Sequence, residues 1–201
     1  MRLLIGTNNV GKVDEVRAAL DGLPLEMLTP ATIGLRINPD EIGCTYTENA
    51  LIKARAFHAA SGGLPTVAED AGIIVAALEG ELGIYTRRWG LGPSVSDAEW
   101  IAHFLERMRG VTDRSASFHS AIAFICERGM EHAFDGCCEG DITLSLEAPF
   151  RPGLPFDGCF RPTGFPRAYG ALSLAEKNVI SHRGAALQQF RAFLATRLPQ
   201  T

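Results

Sequence analysis

Leu3-Leu4-Ile5-Gly6-Thr7-Asn8-Asn9-Val10-Gly11-Lys12 passes from a short apolar run through a polar turn into a segment where Val13, Val16 and Leu20 recur at helical spacing. The apolar run predicts a buried strand, and the glycine and polar residues after it predict the turn that ends it. Thr7, Asn8 or Asn9 can cap the helix with a side-chain oxygen. Strand, polar loop and helix N-terminus in this order make an anion site, because unsatisfied N–H groups and the helix dipole face the loop. Lys12 adds a full positive charge one turn in. The spacing is not that of a Walker A loop. A capped helix carrying a surface lysine fits the same residues, so the stretch alone fixes the local fold and leaves its chemistry open.

Further along, Thr45-Tyr46-Thr47-Glu48 is a capping box opening a helix to about Ala60, with Tyr46, Ala50, Ala54 and Phe57 on one face and Gly62-Gly63 ending it. Residues 66–68 predict a strand delivering Glu69 and Asp70 at its end. Ser96-Asp97-Ala98-Glu99 opens a helix to about Arg109. Residues 117–126, 131–139 and 141–146 predict successive strands broken at Gly129 and Gly140. Arg151–Pro166 is rich in proline and glycine and too long for a plain connector, which marks a functional loop. Ser173-Leu174-Ala175-Glu176 is a third capping box, and Leu187, Phe190, Leu194 and Leu198 share a face of the last helix. Helices alternate with strands at both ends around a strand-rich middle, the pattern of an α/β fold with a mixed sheet.

The 201 residues suffice for one domain or for two small lobes sharing a core. The formal net charge of −4 gives no basic face for a nucleic-acid backbone, while a polyanionic small molecule fits if the few cations converge on one cleft. Five cysteines, none in C-x-x-C spacing, read as reduced thiols. The first residues carry no long apolar stretch and no run is long enough to span a bilayer, so a cytoplasmic location without a membrane partner is expected.

Three further groups carry chemistry. Asp40 and Glu41, and Glu69-Asp70, offer the carboxylate oxygens that Mg²⁺ prefers alongside phosphate oxygens and water. Carboxylates directly after an apolar strand and before Gly72 sit where α/β proteins place ligands. Lys177 with Ser181, His182 and Arg183 brings donors to a junction between two helices, where arginine supplies a fork and lysine a point charge. Cations at a helix C-terminus and a serine cap account for the same residues without a ligand. Phe156-Asp157 can stack a base and accept from its edge, or simply anchor the loop.

Taken together the chain resembles the inosine triphosphatase family, the XTP/dITP diphosphatases. The matching residues are TNNVGK at 7–12, E-x-G at 41–43, TYTENALIKA at 45–54, AEDAG at 68–72, GIYTRRW at 83–89, FHSA at 118–121 and EKNVISHRGAAL at 176–187. The resemblance implies an elongated mixed β-sheet flanked by helices, built as a single domain over 1–201 with two lobes and a central cleft, and a homodimer. It implies hydrolysis of non-standard purine nucleoside triphosphates (ITP, dITP, XTP) to the monophosphate and pyrophosphate, with one Mg²⁺ per subunit. By position, Thr7, Asn8, Asn9, Lys12, Lys53 and Lys177 would contact phosphates. Glu41 and Asp70, with Glu69 as a further candidate, would serve the metal, and Asp70 would activate water. Leu154, Phe156, Asp157, Ser181, His182 and Arg183 would form the base pocket.

The base loop departs from the family. Leu154 stands at the position of the base-stacking aromatic, Pro155 replaces its glycine, Gly158 replaces a usual proline, and Ala71 lacks the hydroxyl common after the acidic pair. Phe156 or Trp89 could replace the lost stacking. The departures leave two alternatives: a pyrophosphatase for another, modified nucleotide, or a nucleotide-binding protein without catalysis. A scaffold for protein partners is a third.

Overall fold

The computed structural model describes residues 1–92 and 94–198. One six-stranded sheet carries the fold, in the order β2-β1-β3-β4-β5-β6. Its strands are β1 (Arg2–Ile5), β2 (Glu26–Leu28), β3 (Thr66–Val75), β4 (Ser115–Ile125), β5 (Glu131–Ile142) and β6 (Phe160–Pro162). β1 is parallel to β2 and β3, and the pairs from β3 to β6 are antiparallel, so the sheet is mixed as the sequence implied. The helices are α1 (Val10–Ala19), α2 (Tyr46–Ala60), α3 (Asp97–Arg107), α4 (Leu174–Ile180) and α5 (His182–Ala195). All three capping boxes form: Thr45, Ser96 and Ser173 each accept from the backbone N–H of a glutamate three residues on, which returns a carboxylate to the cap. No helix among the described residues is long and apolar enough to cross a membrane.

Several boundaries differ from the sequence reading. β3 does not stop at Ala68: it pairs with β4 without interruption from Thr66↔Ile125 to Val75↔Ala116. Glu69 and Asp70 therefore lie inside a strand rather than at its end. Gly72 is retained in the strand because its missing Cβ leaves room for the Gly83 carbonyl, which a methyl would meet at 2.1 Å. Gly140 does not break β5 into two strands, since it pairs across to both Ala116 and Pro162. The loop 151–166 contains a short 3₁₀ turn (Pro155–Gly158) and β6.

Side-chain alternation on β3 sorts the layers. Ala68 packs with Ala121, Ala123 and Ile125 against Ala50 and Ala54 of α2. Small residues on both sides let the helix lie close to the sheet. On the opposite face, Leu3, Ile5, Val67, Ile122 and Phe124 pack under α1 and α5 with Val16, Leu187 and Phe190. Further along that face a second apolar cluster joins Ile73, Val75 and Phe118 to Trp100 and Phe104 of α3, and to Phe156, Phe160 and Tyr169. Between these two clusters stand Glu69 and Ser120, both buried and polar. This polar gap separates the two apolar clusters on that face.

Candidate active site

A cleft of about 510 Å³ opens at this divide. Its position follows from strand length. β1 ends at Ile5, paired to Val67, and Gly6 makes its last bond to the Val67 carbonyl. Beyond that point the edge of β3 on the β1 side has no strand beside it, so Glu69, Asp70, Ala71 and Gly72 border the cleft although alternate side chains belong to opposite faces. The site thus lies past the C-terminal end of a parallel strand, where open α/β sheets bind ligands.

One wall is the loop after β1 and the first turn of α1. Asn9 caps that helix, its Oδ1 accepting from Lys12 N at 3.1 Å. Thr7 Oγ1 accepts from Asn9 N at 3.1 Å, and Asn8 Nδ2 donates to the Ile37 carbonyl at 2.9 Å. Of the three asparagine and threonine side chains proposed for phosphate, all already hold the loop in shape. Lys12 Nζ lies 3.0 Å from Glu69 Oε2.

The floor holds two charge clusters. On the α2 side, Lys53 Nζ donates to Glu41 Oε1 and Asp70 Oδ1, each at 2.7 Å, and Asn49 Nδ2 donates to Asp70 Oδ2 at 3.2 Å. Burial raises the Asp70 carboxyl above the ordinary aspartate range, and Lys53 and Lys12 only partly offset it. Burial is the largest influence on Glu41 and works against its charge, but Lys53, Lys12 and Arg88 together lower the carboxyl. Lys53 loses charge stability to burial and regains more from Asp70 and Glu41, so its ammonium is reinforced.

On the α1–α5 side, Glu69 Oε1 accepts from Arg183 Nε and Ser120 Oγ, each at 2.9 Å. Glu69 is fully desolvated, yet Arg183 and Lys12 pull its carboxyl well below the usual range. Arg183 also binds Glu15 through Nη1. Glu15 receives Lys177 Nζ at 2.5 Å, and Lys177 contacts Asp157 Oδ1 at 2.6 Å and Oδ2 at 2.8 Å. The three N–H groups of Lys177 are therefore spent on Glu15 and Asp157, and only 1% of the residue is exposed. Lys177 and Ser181 do not line the cleft; Asp157, His182 and Arg183 do. Ser181 caps α5, accepting from Gly184 N at 3.0 Å.

The far end is aromatic. Trp100, Phe118, Leu154, Pro155 and Phe156 line it. Phe156 is wedged edge-on against Trp100, Phe104 and Phe118, packing that suits a loop anchor, while it also lines the cleft. Trp89 packs on Trp100 and Phe104, away from the cleft lining. His182 stacks on Phe118 at 4.4 Å between ring centres, with both ring nitrogens buried and unpartnered. Burial and then Arg183 hold it well below the usual imidazole range, so it is neutral at neutral pH. A neutral imidazole offers one donor and one acceptor to whatever enters.

Several lining residues were assigned no role from the sequence. Trp100 reads as an ordinary apolar face residue of α3, and Phe118 falls in the FHSA match without a role of its own. Arg87 and Arg88 sit in the GIYTRRW segment but were assigned no role; Arg88 Nη1 donates to the Glu41 carbonyl at 3.1 Å. Glu15 follows Lys12 by three residues, and its burial depends on Lys177 of α4, which lies far away in sequence.

The same fold and motifs occur in known proteins. Residues 3–193 match the model of the Ham1 family. The chain is 36% identical to a dITP/XTP pyrophosphatase of Leptospira interrogans, with 98% of each sequence covered. It is 37% identical to one of Deinococcus deserti, covering 98% of this chain and 91% of that one. The solved structure of a HAM1 protein from Coxiella burnetii superposes with a TM-score of 0.80 at 33% identity, covering 98% of this chain and 99% of that one. A match across nearly the whole chain in sequence and in fold places it in the Ham1 family.

Proposed function

We propose that the cleft hydrolyses non-standard purine nucleoside triphosphates, ITP, dITP and XTP, to the monophosphate and pyrophosphate. The observation that carries this reading is the convergence of Asp70 and Glu41 on one ammonium, Lys53, across the cleft from Lys12 at the start of α1. The relatives' names, dITP/XTP pyrophosphatase, support the same reaction and substrates.

Lys12, the first N–H groups of α1 and Lys53 would neutralise the polyphosphate, so catalysis is mostly positioning and charge stabilisation. Asp70 would take the proton of the attacking water. Its raised affinity for a proton suits a base better than an ordinary exposed aspartate. Glu41 and Asp70 are the residues that would hold Mg²⁺, which supplies charge neutralisation on the phosphate oxygens. They fit: two carboxylates share one ammonium, and burial leaves Asp70 short of positive charge. Among the described residues no group of three or more His, Cys, Asp or Glu could hold a metal, so phosphate and water oxygens complete the set. Glu69 is committed to Lys12, Arg183 and Ser120, and its role in this reading is to aim those donors. Lys177 acts by holding Asp157 and Glu15. Arg183 and neutral His182 face the purine edge, and Asp157 braces the base loop.

The proposal extends to one domain with two lobes, a homodimer and a cytoplasmic setting, with no nucleic acid or membrane as partner; the family resemblance supports these. Incubation with ITP and Mg²⁺ followed by product separation tests the reaction. IMP with pyrophosphate is expected; IDP with orthophosphate, or no turnover, contradicts it. Chelating the metal is expected to stop release and Mg²⁺ to restore it.

Leu154 favours a second reading, a related enzyme for a modified nucleotide. It is buried, and its Cδ1 is 2.8 Å from where a Cβ on Gly11 would be, so it is packed down on α1. Leu154→Phe is expected to tighten purine binding if an aromatic is merely missing. Loss of activity supports the second reading.

A further inference from the structure

The loop that carries Leu154 is held at one residue from both sides of the cleft. Gly153 N donates to Asp97 Oδ2 at 2.6 Å, and the Gly153 carbonyl accepts from Asn9 Nδ2 at 3.0 Å. Asn9 is the cap of α1 on the phosphate wall, and its other side-chain atom binds Lys12 N. Asp97 opens α3 in the opposite lobe, and its Oδ1 lies 3.5 Å from Arg87 Nη2, a cation lining the cleft. Gly153 has φ +78°, and a Cβ there would lie 2.4 Å from Asn9, so only glycine fits. The next residues, Leu154 and Pro155, line the cleft.

From this arrangement, we infer that Asp97 is a positioning residue for nucleotide binding: through Gly153 it fixes the base loop relative to the phosphate wall, so that base and polyphosphate are gripped in one register. The inference rests on the proposed function for the nature of the ligand. The capping box that starts α3 uses Ser96 and Glu99, so removing the Asp97 side chain leaves the helix start intact. Without it the Gly153 N–H loses its acceptor, the loop is free to shift, and contacts to the base weaken. The proposed phosphate contacts, from Lys12, the first N–H groups of α1 and Lys53, do not bond to Asp97, and the Asn9 cap keeps its bond to Lys12 N.

The test compares a ligand that has a base with one that lacks it. Dissociation constants for ITP and for inorganic tripolyphosphate are measured by calorimetry with Mg²⁺ withheld by chelator, so that ITP is not turned over, on wild type, Asp97→Ala and Asp97→Asn, with melting temperatures as the folding check. Asp97→Ala is expected to weaken ITP at least about fivefold, within the range of a lost base contact, and to leave tripolyphosphate within about twofold. Asp97→Asn still accepts from Gly153 N and is expected to recover most of the ITP affinity. Equal weakening of both ligands, no weakening of either, or an Asn variant no better than Ala overturns the inference. These readouts need no turnover. If wild type binds ITP but releases no pyrophosphate, the proposed reaction fails while the affinity ratio still decides the role of Asp97.

Discussion

At the residue scale the proposed reaction centres on Asp70. Its carboxylate is held by Lys53 and Asn49 in a fixed direction, while burial keeps its proton affinity above the ordinary range. Asp70→Asn is expected to lower turnover at least about a hundredfold with the melting transition retained. Near-wild-type pyrophosphate release would remove Asp70 from the mechanism. A base with a raised pKa gains its active form only at higher pH. In the metal-free protein the Asp70 carboxyl is therefore expected to titrate above the ~3.9 of a free aspartate, and an NMR titration without Mg²⁺ checks it. Lys12→Ala is expected to raise KM more than it lowers kcat; unchanged KM and kcat would take Lys12 out of the site. The roles of single residues were partly legible. The residue pattern marked Lys12, the pair Asp40-Glu41 and the pair Glu69-Asp70 as chemistry-bearing, the family resemblance narrowed the acids to Glu41 and Asp70, and all five line one cleft. That Lys177 is saturated by Glu15 and Asp157 was not legible, because neither acid is near it in sequence and burial has no local signature.

Secondary-structure starts were legible wherever a local rule decided them. The capping boxes at Thr45, Ser96 and Ser173 each form, since their hydrogen bonds close within four residues. The strand ends were misjudged where a glycine served tertiary packing instead of a turn. Gly72 and Gly140 both stay in strands because another backbone occupies the space of their missing side chains: Gly83 against the first, Arg161 against the second. Gly72→Ala drives a methyl into that carbonyl and is expected to cost about 2–3 kcal/mol, a fall of roughly 4–12 °C in Tm, readable by calorimetry. An unchanged Tm would mean that the turn at 83–88 is not seated on β3. The continuous β3 also alters the site: it turns Glu69 and Asp70 to opposite faces, and only the short β1 allows both to meet the cleft.

Across the whole molecule, a buried ion network joins elements from both ends of the chain. Glu15 of α1 joins Lys177 of α4 and Arg183 of α5, and these lead to Asp157 in the base loop and Glu69 in β3. Burial would raise the Glu15 carboxyl, but Arg183 and Lys177 together lower it. A carboxyl lowered in the folded state contributes stability above its unfolded pKa and loses it as pH falls through the folded value. Glu15→Gln leaves two buried cations short of a partner and is expected to cost about 3–5 kcal/mol at neutral pH, with a shallower loss of stability on acidification. Denaturant unfolding at pH 7 and pH 4 checks both, and equal stability of the two proteins at pH 7 would contradict the network's role. The mixed α/β architecture was legible from the order of strand and helix signals and from the family resemblance. The division of one sheet face into two apolar clusters was not, because it depends on Ser120 and Glu69 meeting donors from both ends of the chain.

All of these scales meet in one claim: cations and acids from distant parts of the chain form a single cleft that splits a purine triphosphate at its α–β bond. Pyrophosphate release from ITP, XTP, dITP, GTP and ATP, followed side by side with Mg²⁺ on wild type and Asp70→Asn, measures that claim directly. Release from ITP, XTP and dITP at least about a hundredfold faster than from ATP and GTP, abolished in the Asp70→Asn protein, is the expected result. Absence of pyrophosphate from every triphosphate, or release that survives the loss of the Asp70 carboxylate, would contradict it.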